Sequence, residues 1–240
     1  RTNGVRERQE RDVFFAQSLT SRLLLGKLPK VKNLRIGVEY MRCLEAGGDF
    51  YDFVAVSPTR LRGFFGCCNG KGVRTVLEVC RIMRDMHRAA QSSDSPSAIL
   101  RHVNNMLVEQ NKRTHQASLC VFDIDVTAGA IRLAKAGYLG LLLCGPGAEV
   151  QNISTFGGLF LGMDAKPKIH DEVFKFGPGR SLFCLTEGFY TSKNCMVAQP
   201  QIHWFITALN NTLDGNGKKP PANPHFQNFH QAAGLNTRPT

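Results

Sequence analysis

The sequence predicts an α+β fold, and three observations carry that reading. Strand-like segments come first, two consecutive helical segments follow, and a long block of strands then leads to a late helix. The strand–helix alternation of parallel βαβ units is absent, and no internal repeat is visible. The 240 residues are 42% hydrophobic, enough to bury a core in one large domain or two small ones. Antiparallel sheets with helices packed on the outside satisfy this order.

Residues Arg6–Leu28 read as a helix. Val13, Phe14, Ala16, Leu19, Leu23 and Leu24 recur with a period near 3.6, and Gly26 with Pro29 ends the pattern. Basic and amphipathic, this helix could link to an upstream domain, form a dimer seam or pack on the domain itself. Leu34–Tyr40 alternates like a strand. Phe50–Val56 and Leu61–Gly66 follow as two more, joined by a turn at Ser57–Thr59. After a glycine-rich turn, Val73, Val76, Leu77, Cys80, Met83 and Met86 line one helical face. Ser95 then stands as an N-cap with Pro96 at the first helical position, and Ile99, Leu100, Val103, Met106 and Leu107 point inward from a second helix. Ser118–Asp125, Ile131–Ala136, Leu139–Cys144, Lys168–Phe176 and Ser181–Leu185 complete the strands, and Ile202–Leu213 reads as the late helix. From Gly215 the chain is rich in Gly, Pro and Asn and reads as loop or disorder for much of its length. The resulting organisation is an N-terminal linker helix over residues 1–30, a domain over 31–214 and a tail over 215–240.

Lys and Arg total 30 against 19 Asp and Glu, a formal charge of +11. Ten of these cations fall within the first 42 residues. The balance suits acidic partners of any class, or simply a solvated basic face. No basic run is interleaved with aromatics as in a base-stacking platform, which argues against nucleic acid. No apolar run approaches the roughly 20 residues that cross a bilayer. The chain opens on Arg1, as expected of a segment excised from a longer protein. The eight cysteines sit mostly in apolar runs such as SLCVF and LLLCG, and none forms a CxxC pair. A reduced, cytoplasmic compartment is the expectation.

The chemistry concentrates in a few motifs. In order they are LLLGKLPKVKNLRIGVEY, EAGGDFYDF, GCCNGKG, ILRHVNNML, TAGAIRLAKAGYLGLLL, GLFLG and FGPGRSLFCLTEGFY. This series resembles the SpoIIE-like (RsbU-type) branch of the PPM protein serine/threonine phosphatases. That branch reads GGDFYDF, GDVSGKG, a helix with LNxxL, ANAGHPP, PLG, pGD and TDG. The resemblance runs from about Ala16 to Thr191. It implies a four-layer αββα sandwich with a pair of Mn²⁺ or Mg²⁺ ions at one edge. Such ions activate a water to attack a phosphoserine or phosphothreonine, and being hard cations they take aspartate oxygens.

Matched position by position, the resemblance retains Asp49 as a metal ligand, with Gly48 before it and Asp52 where the family has a further acid. The bridging aspartate falls at Cys67, and its neighbour, a backbone-carbonyl position, at Cys68. Gly66, Gly70, Lys71 and Gly72 keep the turn. The TDG aspartate is Glu187, between Thr186 and Gly188. The AGH histidine is Tyr138, the pGD acid is Arg180, and no counterpart of the last family aspartate follows Asp214. A thiol is a soft ligand for a hard ion, and Glu187 moves its oxygens by a methylene, where about 1 Å can cost roughly 10²-fold in rate. Asp49 and Glu187 could hold one ion weakly, but not a pre-organised pair.

Other uses of the thiols fit less well. A cysteine nucleophile needs a depressed pKa and an arginine at Cys-x5-Arg spacing, whereas six residues after Cys67 stands Val73. Cys68 does reach Arg74 at that distance. A vicinal disulfide would be strained. A zinc site would need a histidine with ligand spacing, and none has it. Asp49 and Asp52 could also cap turns. The resemblance therefore implies a degenerate phosphatase domain of bacterial signalling that binds a regulatory protein, such as a STAS-domain antagonist in a partner-switching circuit that governs a sigma factor. Dimerisation through the N-terminal helix is a further implied mode. The alternative is an active, metal-dependent phosphatase with an atypical site.

Overall fold

The computed structural model describes residues 11–16, 18–19, 22, 24, 26–38, 40, 47–91, 95–110, 116–145, 150–153, 158–186 and 235–237. Among the described residues, ten strands form two antiparallel five-stranded sheets. The first sheet contains β2 (Asp49–Ser57), β3 (Arg60–Cys68), β4 (Ala117–Asp125), β5 (Ala130–Ala136) and β8 (Glu172–Lys175), adjacent in that order. The second runs β1 (Leu34–Arg35), β10 (Leu235–Thr237), β9 (Ser181–Leu185), β6 (Gly140–Cys144) and β7 (Gln151–Asn152). Helices α1 (Val73–Ala90) and α2 (Pro96–Gln110) cover the outer face of the first sheet.

Alternation along the strands builds two cores. Leu61, Phe65, Cys120, Phe122, Ile124, Ile131 and Leu133 meet Leu141, Leu143 and Leu182 between the sheets. The opposite pleat, with Phe50, Phe64, Leu119, Val121, Ala134 and Ala136, meets Val79, Ile82, Met83 and Met86 of α1 and Ile99, Leu100, Val103 and Leu107 of α2. The αββα sandwich expected from the sequence is thus present in its two sheets and one helical layer. The segment Ile202–Leu213 lies outside the described residues.

Several elements differ from expectation. The strand expected over Leu34–Tyr40 is two residues long among the described residues: Leu34 pairs with Thr237 and Arg35 with Asn236. The strand expected over Lys168–Phe176 shrinks to Glu172–Lys175. Residues 169–171 are instead tied to α2: Arg101 donates to the Ile169 carbonyl, and the Ser97 amide donates to Asp171. On α1 the face is rotated: Val76, Val79, Met83 and Met86 are buried, while Val73 and Leu77 are 43% and 62% exposed. They stand on the shoulder of the face, beside the contact where Ala16 of the N-terminal helical residues packs on Val76, with Leu19 and Cys80 near it. Helical structure is present at 11–16, 18–19, 22 and 24 and has ended by Gly26. Strands β7 and β10 are additions that no sequence pattern announced.

Candidate functional site

The glycines of the retained motifs let the ends of β2, β3 and β4 close on one another. Asp49 pairs with Cys67 across β2 and β3. The Cys68 amide donates to the Gly48 carbonyl at 3.0 Å. A Cβ on Gly48 would lie 2.1 Å from the Cys68 carbonyl oxygen, and one on Gly66 would lie 2.2 Å from that of Ser118, so only glycine fits at either position. Gly70 and Gly72 take φ of 109° and 83° in the turn that leads into α1. The Asn69 amide closes the turn on the Gln116 carbonyl at 2.9 Å.

The pleat decides which side chains share a site. In β2, Phe50 and Val54 pack toward the helices, whereas Phe53 packs between the sheets. Asp49 follows the inward set. Its Oδ2 accepts a hydrogen bond of 2.8 Å from the Thr186 hydroxyl, which follows β9 in the opposite sheet. Cys67, directly opposite Asp49, lies on the same side as Phe65. Asp52 is on the other face: one oxygen accepts from the Phe53 amide at 2.7 Å, and the other lies 3.2 Å from Nδ1 of His87 on α1. The two acids of GGDFYD therefore serve different faces, and Asp52 ties the edge strand to the helix.

Cys68 also points away from Asp49's side, into the core beneath α1. Burial drives its thiol pKa well up, reinforced by the neighbouring Cys67 and Glu78 and only partly opposed by Arg81. A nucleophilic or metal-ligating thiol needs the opposite shift, so Cys68 is a core side chain. Glu78 and Arg81 pair at 2.9 Å on α1. Tyr138, at the position of the family's histidine, rests its ring against Phe160 with centroids 5.4 Å apart, and its amide donates to the Ser118 hydroxyl. Arg180 lies at the far end of the sandwich, where its guanidinium donates to the Lys175 carbonyl.

The structure thus brings together Asp49, Cys67 and Thr186, with Gly48, Gly66, Gly70 and Gly72 shaping the strand ends around them. Glu187 and Gly188 lie outside the described residues. Thr186 is a participant that the motifs do not point to: it is legible as the first residue of Thr-Glu-Gly, and only the approach of the two sheets sets its hydroxyl on Asp49. Among the described residues, no group of three or more His, Cys, Asp or Glu side chains is arranged to hold a metal ion. One carboxylate among the described residues, accepting from a hydroxyl and facing a buried thiol, does not by itself fit a pair of hard divalent ions.

A family model described as Stage II sporulation protein E (SpoIIE) matches residues 57–223, well over half of the chain. No match is found among curated proteins. Solved structures share the fold at low identity. The RsbU and RsbW domains of a Mycobacterium tuberculosis protein superpose with a TM-score of 0.66 at 19% identity, covering 80% of this chain and 55% of that one. The PP2C phosphatase domain of SpoIIE from Bacillus subtilis, with a fragment of its regulatory domain, gives 0.63 at 11% identity, over 88% of this chain and 65% of that one. RsbX in complex with magnesium gives 0.53 at 14% identity, over 84% and 90%. The chain therefore spans just over half the length of the first of these structures.

Proposed function

Because the chain belongs to the SpoIIE family, with the PP2C-type phosphatase fold, we propose that it is a regulatory member that binds a protein partner without efficient metal-dependent dephosphorylation. The observation that carries this reading is the state of Asp49. The carboxylate that would anchor a metal ion is engaged by Thr186 across the two sheets, and the residue opposite it is Cys67, a buried thiol in place of a second carboxylate. The chain keeps the glycines that shape the turn and lacks the oxygen ligands that would make the turn a metal site. Regulation by binding needs the shape of the domain and not its rate.

The partner in this reading is a STAS-domain antagonist or a similar regulator of a sigma factor, met in the cytoplasm. Its support is the likeness to a chain that carries RsbU and RsbW domains together. The N-terminal segment of residues 1–30 would link the domain of residues 31–214 to an upstream sensor or to a second copy, and residues 215–240 would form a C-terminal segment that brings residues 235–237 back to the second sheet.

The test is phosphate release from a phosphoserine STAS domain with millimolar Mn²⁺, beside calorimetric binding of the same domain. The expected result is binding with no Mn²⁺-dependent release above that of Asp49→Ala. A Mn²⁺-dependent rate that Asp49→Ala abolishes would overturn the reading. A second reading, a phosphatase with one ion held by Asp49 and Glu187, draws on the bond that holds the first residue of Thr-Glu-Gly on Asp49. Titration with Mn²⁺ separates the two, since the single-ion site must take up metal in the millimolar range.

A further inference from the structure

The end of the sandwich away from Asp49 collects basic residues that are far apart in sequence. A ring of backbone contacts joins four segments there. The Lys32 amide donates to the Pro58 carbonyl at 2.8 Å, the Val126 amide to Thr59 at 3.0 Å, and the Phe176 amide to Gly129 at 2.6 Å. Arg35 pairs with Asn236, and Asn236 with Ser181, which closes the ring through the second sheet. Residues 30–35, 57–60, 125–130 and 175–181 carry six cations (Lys30, Lys32, Arg35, Arg60, Lys175 and Arg180) and a single acid, Asp125. That acid is held 3.4 Å from Arg60 and accepts from the Ala128 amide. Lys30, Lys32, Arg35, Arg60 and Lys175 are exposed. Val56 is 51% exposed, and Pro58 and Pro178 are also exposed among them.

We infer that this end is a docking face for an anionic lipid surface. The cations sit on the tips of four separate segments, so they present a charged end face and not a groove for one acidic peptide. Small apolar side chains between the cations can enter the headgroup layer, while each cation near an anionic bilayer adds to the attraction. Base stacking is not provided for: the one aromatic residue in these segments, Phe176, is fully buried. No helix of the described residues is long and apolar enough to cross a membrane, so the contact is peripheral. Bound this way, the chain presents its Asp49 end to solution. The inference is independent of whether that end retains catalysis.

Sedimentation of the full chain with vesicles tests it, using phosphatidylcholine alone and phosphatidylcholine with phosphatidylserine, at low and high salt. Binding is expected to the phosphatidylserine vesicles at low salt and to fade as the salt is raised. Each cation removed should cost about fivefold in affinity, so Lys30→Gln/Lys32→Gln/Arg35→Gln should lose roughly a hundredfold. A second variant drawn from two segments, Lys32→Gln/Lys175→Gln, should lose roughly 25-fold, and it covers the case in which the triple variant melts early. Equal binding to phosphatidylcholine, or undiminished binding by both variants, overturns the inference. So does binding to polyglutamate without binding to vesicles, which would assign the face to an acidic protein. Binding to neither probe would leave it a solvated surface.

Discussion

A thiol shut between two sheets ionises late, which makes Cys120 a gauge of the core around it. Burial is the main cause that pushes its pKa up to about 12, against the ordinary value of 9, with Lys135 opposing and Glu172 adding to the shift. A raised folded-state pKa means that the native protein keeps a proton the unfolded chain gives up. Stability from this group is therefore intact below about pH 9, falls as pH rises beyond it, and levels off near 12. The slope per thiol approaches about 1.4 kcal/mol per pH unit. Urea midpoints at pH 8, 9 and 10 should fall, and Cys120→Ala should flatten the decline; an unchanged slope would show that Cys120 ionises as freely in the folded chain as outside it. At this scale the sequence was partly legible. Apolar neighbours in SLCVF correctly placed Cys120 in the core. Asp49 and Asp52 were legible as acids but not as occupants of opposite faces, although their spacing of three along an alternating strand contains that result.

Among the elements, the turn at residues 162–164 between β7 and β8 is held by one side chain of α2. Asn104 is fully buried; its Nδ2 donates to the Asp164 carbonyl at 2.8 Å, and its Oδ1 accepts from the Gly162 amide at 3.0 Å. The same loop reaches the candidate site, because Leu161 exchanges backbone hydrogen bonds with Ala117 at the start of β4. Asn104→Ala removes both bonds, leaves two backbone groups short of a partner and opens a small void. It should cost about 2–4 kcal/mol, read from chemical denaturation. Asn104→Asp keeps the volume and the acceptor for Gly162 but sets a carboxyl oxygen against the Asp164 carbonyl; a loss as large as that of Asn104→Ala would mean that the hydrogen bond to Asp164 and not the volume decides. The strands from Phe50 to Leu185 were legible where alternation ran for five residues or more, and the Ser95–Pro96 start of α2 was legible as capping chemistry. The Ser95 hydroxyl accepts from the Ala98 amide there. The rotation of α1 was not legible, because Val73 and Leu77 satisfy the helical period as well as Val79 and Ile82 do. Only the position of the sheet chooses between the two faces.

For the whole molecule, the ordered series of motifs carried the fold, since seven short patterns at workable spacing specify one architecture better than any single strand does. What sequence order could not supply is the closure of the second sheet. Residues 235–237 stand between β1 and β9 through backbone pairing that needs no apolar pattern, so nothing in LNT marks it. The two sheets are also joined at the candidate site by the bond from Thr186 to Asp49, and this makes the site a test of the molecule's overall state. Cys67→Asp would place a second carboxylate opposite Asp49, at a position only 5% exposed. Without a cation, a buried carboxylate beside the half-buried Asp49 should destabilise the fold by about 3–5 kcal/mol, and a domain of this size loses about 2–4 °C of melting temperature per kcal/mol. Melting in chelator should therefore fall by roughly 10 °C. If the turn still has the shape of a metal site, Mn²⁺ should recover much of that loss, since a ligand at 100 times its Kd returns about 2.7 kcal/mol. The wild-type chain, with a thiol at 67, should melt at the same temperature with and without Mn²⁺. A wild-type shift as large as the variant's would mean that Asp49 already holds an ion and that the regulatory reading is wrong. A variant that Mn²⁺ fails to rescue would mean that the glycines preserve the course of the strands and no longer a cradle for metal.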